Sequence, residues 1–242
     1  MNRELVWEGC ANVRDLGGIP LEQGGETRYG VVVRADNVRY LSDTGWRALA
    51  EHGVTRIVDL RLPVELTADP PRDIGVEVVH VSLMGDEDPN FHDHIEEHSG
   101  PESYWTWVYV WALENRRESI GRALAAIADA DGVVLFHCAG GKDRTGIIAA
   151  LTLRAAGASI DEIVRDYHLS SGRLSASTRA WLEAAEDAQE QARRELLIGT
   201  PPEAMRRALE HLDRELGGVE AYLRAAGLSD EQLGRLRSRL AA

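Results

Sequence analysis

The run Val133-Val134-Leu135-Phe136 leads without a break into His137-Cys138-Ala139-Gly140-Gly141-Lys142-Asp143-Arg144-Thr145-Gly146, and this junction constrains the fold more than any other part of the chain. Four consecutive apolar residues suit a strand covered on both faces. Beyond the glycines, Ile147, Ile148, Leu151 and Leu153 form a helical apolar stripe that stops near Gly157, a residue suited to a C-cap. A buried strand, a glycine-bearing turn and a helix N-terminus therefore meet at one point. Backbone N–H groups converging at such a turn make a concavity that binds an anion.

Cys138 opens the turn, and Arg144 follows with five residues between them. A thiol must ionise to attack phosphorus, and a free cysteine has a pKa of about 8.5. Lowering a thiol by three units takes about 4 kcal/mol, whereas a helix end supplies at most about 2 kcal/mol. The turn's amides and the Arg144 cation must provide the remainder, with the Thr145 hydroxyl as a donor to the sulfur. The planar fork of Arg144 also matches two phosphate oxygens and keeps its charge at any working pH. Gly140 and Gly141 allow the backbone to come close to the oxygens and to take positive φ where needed, and Gly146 allows tight packing at the helix start. The expected phosphate cradle is thus Ala139, Gly140, Gly141, Lys142, Asp143 and Arg144 around Cys138. A buried structural cysteine beside a solvated charged run would account for Cys138 and Arg144 singly. It would not account for the agreement of strand, glycines, spacing, hydroxyl and helix.

At these residues the chain resembles the cysteine-dependent phosphatase superfamily, whose loop reads His-Cys-x5-Arg-Ser/Thr. The Gly-Lys-Asp-Arg-Thr-Gly form is similar to a narrower bacterial tyrosine-phosphatase-like group. Asn12-Val13-Arg14-Asp15-Leu16-Gly17-Gly18, Val58-Asp59-Leu60-Arg61 and Gly217-Gly218-Val219-Glu220-Ala221-Tyr222-Leu223 resemble further elements of that group, so the likeness spans most of the chain. The resemblance implies an α/β, protein-tyrosine-phosphatase-like fold and phosphomonoester hydrolysis through a phosphocysteine. It also implies phosphorylated protein, and in some members phosphoinositide, as substrate, with inorganic phosphate as product and no cofactor.

The chain of 242 residues suffices for one large domain, so residues 1–242 read as a single phosphatase domain with a lid-like insertion at about 85–120. Two cysteines, Cys10 and Cys138, give neither a disulfide framework nor metal-site spacing. Cys10 reads as a small structural residue, and a reducing compartment suits a reactive thiol. With no signal-peptide h-region and no long apolar run, the expectation is a cytoplasmic protein without stable membrane insertion, non-Sec export being left open. A net charge of −13 argues against nucleic acid as a partner and against general adhesion to anionic membranes. Oligomeric state is not legible.

Along the chain, Glu22–Glu26 reads as a turn between extended runs, the second being Val31–Arg34, which predicts an N-terminal hairpin. Ser42 caps a helix through Glu51, ended by Gly53. Thr55–Leu60 and Val76–Leu83 read as strands, and Ser119–Ala130 as a helix leading into the Val133 strand. This rhythm predicts a mainly parallel central sheet flanked by helices, followed by a helical C-terminal third. There, Ser159 with Glu162, Thr200 with Glu203, and Ser229 with Gln232 have capping-box spacing, with Pro201 as first helical residue. His92, His94 and His98 invite a metal reading, but the stretch lacks helical periodicity and a cysteine partner, and no metal is expected. The aromatic run Tyr104–Trp111 suits core packing or, alternatively, an apolar wall beside the loop.

The leaving-group acid stays open between two carboxyls. Asp143 lies within the turn, and the resemblance favours it; Asp59, at a strand end, either competes for that role or is a structural acceptor that fixes Arg144 or the loop backbone. Lys142 contacts the phosphate, meets a second anionic group, or is solvated. His137 organises the loop. Arg14 pairs with Asp15 behind the site or binds substrate, and Arg61 is similarly open. Sulfur transfer of the rhodanese type and phosphate recognition without turnover are the competing functions; Arg144 followed by Thr145 favours phosphate hydrolysis.

Overall fold

A computed structural model describes residues 2–70, 75–84 and 98–241. Among these residues five strands form one sheet, β1 (Arg14–Asp15), β2 (Val32–Ala35), β3 (Val54–Asp59), β4 (Glu77–His80) and β5 (Val133–His137), in the order β1-β2-β5-β3-β4. β1 runs antiparallel to β2, and every other pairing is parallel. The parallel pairs need crossovers, and helices supply them. They are α1 (Asp43–Glu51), α2 (Pro63–Ala68), α3 (Pro101–Asn115) and α4 (Arg117–Ala128), and after the last strand come α5 (Asp143–Ala156) and α6 (Ile160–His168). The chain ends with α7 (Ala176–Glu183), α8 (Ala188–Ile198), α9 (Pro202–Glu215), α10 (Gly218–Ala225) and α11 (Asp230–Leu240). The fold is the α/β, mainly parallel architecture expected, with a helical C-terminal third.

Strand periodicity sorts the core into two layers. Val32, Val58, Val134 and Phe136 point to the larger layer, which they share with α3, α4, α5 and α9. Val33, Ile57 and Leu135 point to the smaller one, with Trp7 and Leu49 of α1. Because β5 is covered on both sides, its sequence shows no polar alternation.

The register fixes where chemistry can occur. Ala35 of β2 and Asp59 of β3 both lie opposite His137 of β5. Asp36, Leu60 and Cys138 therefore leave the sheet side by side at its carboxyl edge, where open α/β sheets bind ligands.

Most expected punctuation is present. Ser42 accepts from the Gly45 amide, Ser159 from Glu162, and Ser229 and Gln232 form a reciprocal capping box. Gly157 takes the left-handed C-cap of α5 at φ 97°. The Val76–Leu83 strand is shorter than expected, and the N-terminal hairpin is reduced to the β1–β2 pair with a Pro20–Glu26 bridge toward its turn. One expectation needs correction. α9 begins at Pro202, its N-cap is Pro201, and Thr200 caps nothing. Thr200 is instead buried, its carbonyl oxygen 3.3 Å from His168 Nδ1.

The segment expected as an insertion at 85–120 is described only from residue 98. The aromatic run within it is helix α3, with Tyr104, Trp105 and Tyr109 buried in the core.

Candidate active site

The turn between β5 and α5 is held from its outer side. The Asn37 amide donates to Ala139 O (3.1 Å). Asn12 Nδ2 donates to Gly140 O (3.2 Å) and Gly141 O (3.0 Å), and Arg34 Nη2 donates to Gly141 O (2.8 Å). In a trans peptide the C=O and the following N–H point in opposite directions. Three tethered carbonyls therefore turn the N–H groups of Gly140, Gly141 and Lys142 to the other face. Among the described residues no acceptor takes any of them. Gly141 makes this approach possible: its φ is +63°, and a Cβ there would lie 2.6 Å from Ala35 O. Gly140 has open space instead.

Cys138 sits at the start of this turn, 2% exposed. Arg144, in the first turn of α5, is gripped by a residue that sequence reasoning missed. Glu65 of α2 receives Nη1 at 2.5 Å and Nη2 at 3.0 Å, a bidentate pair. Glu65 Oε2 also accepts from the Leu62 amide, so the carboxylate is fixed to the start of its own helix. Burial would lower the Arg144 guanidinium, but the Cys138 sulfur and Glu65 together hold it above its ordinary value. Burial works against the charge on Glu65 too, and its bond to Arg144 overcomes that and keeps the carboxyl below its usual range. The Thr145 hydroxyl is fully buried and has no hydrogen-bond partner among the described residues, so the expected donation to sulfur is not formed.

Asp143 faces a set of aromatic donors from α3 and α6. Tyr109 donates to Asp143 Oδ1 at 2.6 Å, and its own oxygen lies 2.6 Å from that of Tyr167. Burial raises both phenols well above their ordinary pKa, with the Asp143 charge adding to it, so they remain neutral donors. Lys142 Nζ lies 3.2 Å from Asp143 Oδ2 and 4.3 Å from the centre of the Trp105 ring. It also donates to Leu197 O (2.7 Å) and Gly199 O (2.8 Å). The ammonium thus ties the turn to the end of α8, and burial depresses its pKa against the pull of Asp143. A cavity of about 130 Å³ opens beside Gly140, Lys142 and Asp143, with Asp36, Ser170 and Arg173 in its wall.

Asp59 is buried and fully engaged. Its carboxylate receives Arg61 Nε at 3.0 Å and Nη2 at 2.8 Å, with His137 Nε2 at 3.6 Å. Burial alone would raise this carboxyl; the His137 ring and Arg61 overcome it and hold it below the ordinary range. Burial pushes the His137 imidazole down, and its Nδ1 lies 3.3 Å from Cys138 O. Asp59 has no direct contact with Arg144; Arg144 Nη1 reaches Leu60 O at 3.5 Å.

The expected Arg14–Asp15 pair does not form. Neighbouring strand residues point to opposite faces, so the two side chains diverge. Arg14 Nε meets Asp166 Oδ1 at 3.0 Å, while Asp15 accepts the amides of Gly17 and Gly30. His98 lies against the rings of Tyr104 and Trp107; His92 and His94 fall outside the described residues. Among the described residues no cluster could hold a metal ion, and no helix is long and apolar enough to cross a membrane.

A model of the tyrosine phosphatase family matches residues 5–242. The chain belongs to that family. A tyrosine-protein phosphatase of Nostoc commune is 34% identical over 222 residues, which cover 86% of this chain and 73% of the relative. The triple specificity protein phosphatase PtpB of Mycobacterium tuberculosis is 27% identical, with 97% of each chain covered. Membership of the tyrosine phosphatase family makes this chain a phosphatase, with phosphorylated protein as its substrate class, and leaves sulfur transfer without support.

Glu65, Tyr109 and Asp166 were not foreseen. Glu65 and Tyr109 reach Arg144 and Asp143 directly, Asp166 reaches the turn through Arg34, and only Glu65 carried a local signal, a carboxylate three residues past the Leu62 N-cap.

Proposed function

We propose that the chain hydrolyses phosphotyrosine on protein substrates through a phosphocysteine formed on Cys138. The observation that carries this reading is the loop that Cys138 opens, in which three consecutive carbonyls are tethered on one side and the N–H groups that follow them meet no acceptor among the described residues. These amides, with those at the start of α5 and the fork of Arg144, hold the phosphoryl oxygens. Glu65 orients Arg144 from behind, leaving its remaining N–H groups for the substrate. In the first step the Cys138 sulfur forms a bond to phosphorus as the bond to the phenolic oxygen breaks. Asp143 gives its proton to that oxygen. In the second step water attacks phosphorus, Asp143 takes a proton from it, and inorganic phosphate leaves with the thiolate restored.

Asp143 fits the acid better than Asp59. It lies within the loop next to Arg144, whereas Asp59 is buried and saturated by Arg61, the arrangement of a brace. Lys142 contributes its amide to the cradle and its ammonium to holding Asp143. A nucleophile only 2% exposed is reached more readily by phosphate on the long arm of tyrosine than on serine. The name of the mycobacterial relative, a triple specificity protein phosphatase, motivates testing phosphoserine, phosphothreonine and phosphoinositide as well. The two free cysteines suit a reducing, cytoplasmic setting.

The test uses p-nitrophenyl phosphate and phosphotyrosine peptide. Cys138→Ser should lose turnover and keep measurable phosphate binding. Full activity in that variant removes the cysteine from the mechanism. Asp143→Asn should flatten the alkaline limb of the pH–rate profile, because a general acid is lost as pH rises; Asp59→Asn should keep that limb.

A further inference from the structure

Behind the turn lies a buried ion cluster that the chemistry above does not use. Asp166, in the last turn of α6 and 2% exposed, receives Arg14 Nε on Oδ1 (3.0 Å) and Arg34 Nη1 on Oδ2 (2.7 Å). Arg14 Nη2 adds contacts to the Asp166 backbone oxygen (2.7 Å) and Ser170 Oγ (3.1 Å), and Arg3 reaches Oδ1 from the surface. Both Arg14 and Arg34 are fully buried. Two routes lead from this carboxylate to the same peptide of the phosphate loop. One is direct, through Arg34 Nη2 to Gly141 O at 2.8 Å. The other runs from Arg14 Nη1 to Asn12 Oδ1 (2.6 Å), and from Asn12 Nδ2 to Gly140 O and Gly141 O. Asn12 is itself pinned by Asp36, whose carboxylate accepts the Ala11 and Asn12 amides.

The geometry points to Asp166 as a positioning residue for phosphate binding: by aligning Arg14 and Arg34 it keeps the Gly140 and Gly141 carbonyls turned outward, and so keeps the next two N–H groups aimed at the anion. A guanidinium has five donors and no acceptor. Each arginine can therefore bridge one carboxylate and one carbonyl at once, which a lysine could not do in fixed geometry. Removing the carboxylate would leave two buried cations repelling each other on the side from which the loop is held. The Asn12 side chain supplies the last link on one route, because its amide accepts from Arg14 and donates to the loop.

This inference rests on the phosphate-loop reading, and one experiment separates the two. Competitive inhibition of p-nitrophenyl phosphate hydrolysis by orthovanadate gives an inhibition constant that does not depend on how much of the sample is folded. Asp166→Asn and Asn12→Ala are compared with the parent protein well below their melting temperatures. The expected result is vanadate binding weaker by about tenfold in both variants, equivalent to about 1.4 kcal/mol, alongside a fall in kcat. A cluster that merely stabilises the fold would lower the active fraction and leave the inhibition constant unchanged, and that outcome overturns the inference. If Asp166→Asn does not fold, Asn12→Ala decides alone, since it leaves Asp166 paired with Arg14 and Arg34 and removes the link from Arg14 Nη1 to the carbonyls. Failure of the parent protein to bind vanadate would instead sink the phosphate-loop reading, and this inference with it.

Discussion

Gly141 and Gly140 stand side by side in the loop and face opposite demands. A methyl group on Gly141 would meet the Ala35 carbonyl at 2.6 Å while φ stays at +63°. Both the clash and the left-handed backbone are costly to a residue with a Cβ. Gly141→Ala should lower stability by about 1–3 kcal/mol, read as a shift in the denaturant midpoint. Gly140→Ala, with open space around it, should leave that midpoint within about 0.5 kcal/mol. Equal effects would mean that the loop relaxes freely. The need for glycine here was legible in the sequence; which of the two carries it was not, because the clash is with Ala35 of β2, 106 residues earlier in the chain. The Arg14–Asp15 expectation failed at the same scale, for a simple reason. Adjacent strand residues diverge, whereas Asp59, the last residue of β3, pairs with Arg61 just beyond the strand.

At the scale of elements, strand β5, the turn and helix α5 were readable because they are contiguous, and their apolar pattern changes period within a few residues. The helices that serve the turn from elsewhere were not. α3 is aromatic on several sides, so periodicity could not show which face meets Asp143. α8 buries no residue fully, and its last carbonyls, the orphan acceptors of any helix end, are taken by Lys142 and by the Trp105 indole (2.9 Å to Leu196 O). Lys142→Met keeps the apolar stem and removes both ammonium bonds. Amide hydrogen exchange across residues 188–198 should then accelerate markedly, with α5 unaffected. Unchanged protection in α8 would show that Trp105 suffices. The cap of α9 was misjudged because Pro201 and Pro202 both suit a helix start, and the Thr200 oxygen contact with His168 is tertiary.

For the whole molecule, ionised carboxylates join distant parts of the chain. Asp59, Glu65 and Asp166 all lie below their ordinary range against the opposing effect of burial, held there by His137 and Arg61, by Arg144, and by Arg14 and Arg34 respectively. A carboxyl depressed in the folded state adds stability above its unfolded value, near pH 4. That stability is lost as pH falls further, because the unfolded chain binds more protons. Denaturant midpoints should therefore be level between pH 6 and 7 and fall steeply below about pH 4. A protein equally stable at pH 3 and pH 7 would contradict the ion-pair account. These long-range pairs escaped the sequence, since no spacing rule links Asp166 to Arg14 or Glu65 to Arg144.

The central claim concerns a bond from sulfur to phosphorus, and trapping that bond tests it most directly. Enzyme mixed with p-nitrophenyl phosphate, quenched in acid during turnover and digested, should yield the peptide carrying Cys138 with one phosphoryl group attached, and Cys138→Ser should yield none. Active enzyme whose Cys138 peptide stays unmodified at every quench time, or a phosphoryl group found on another side chain, would contradict it.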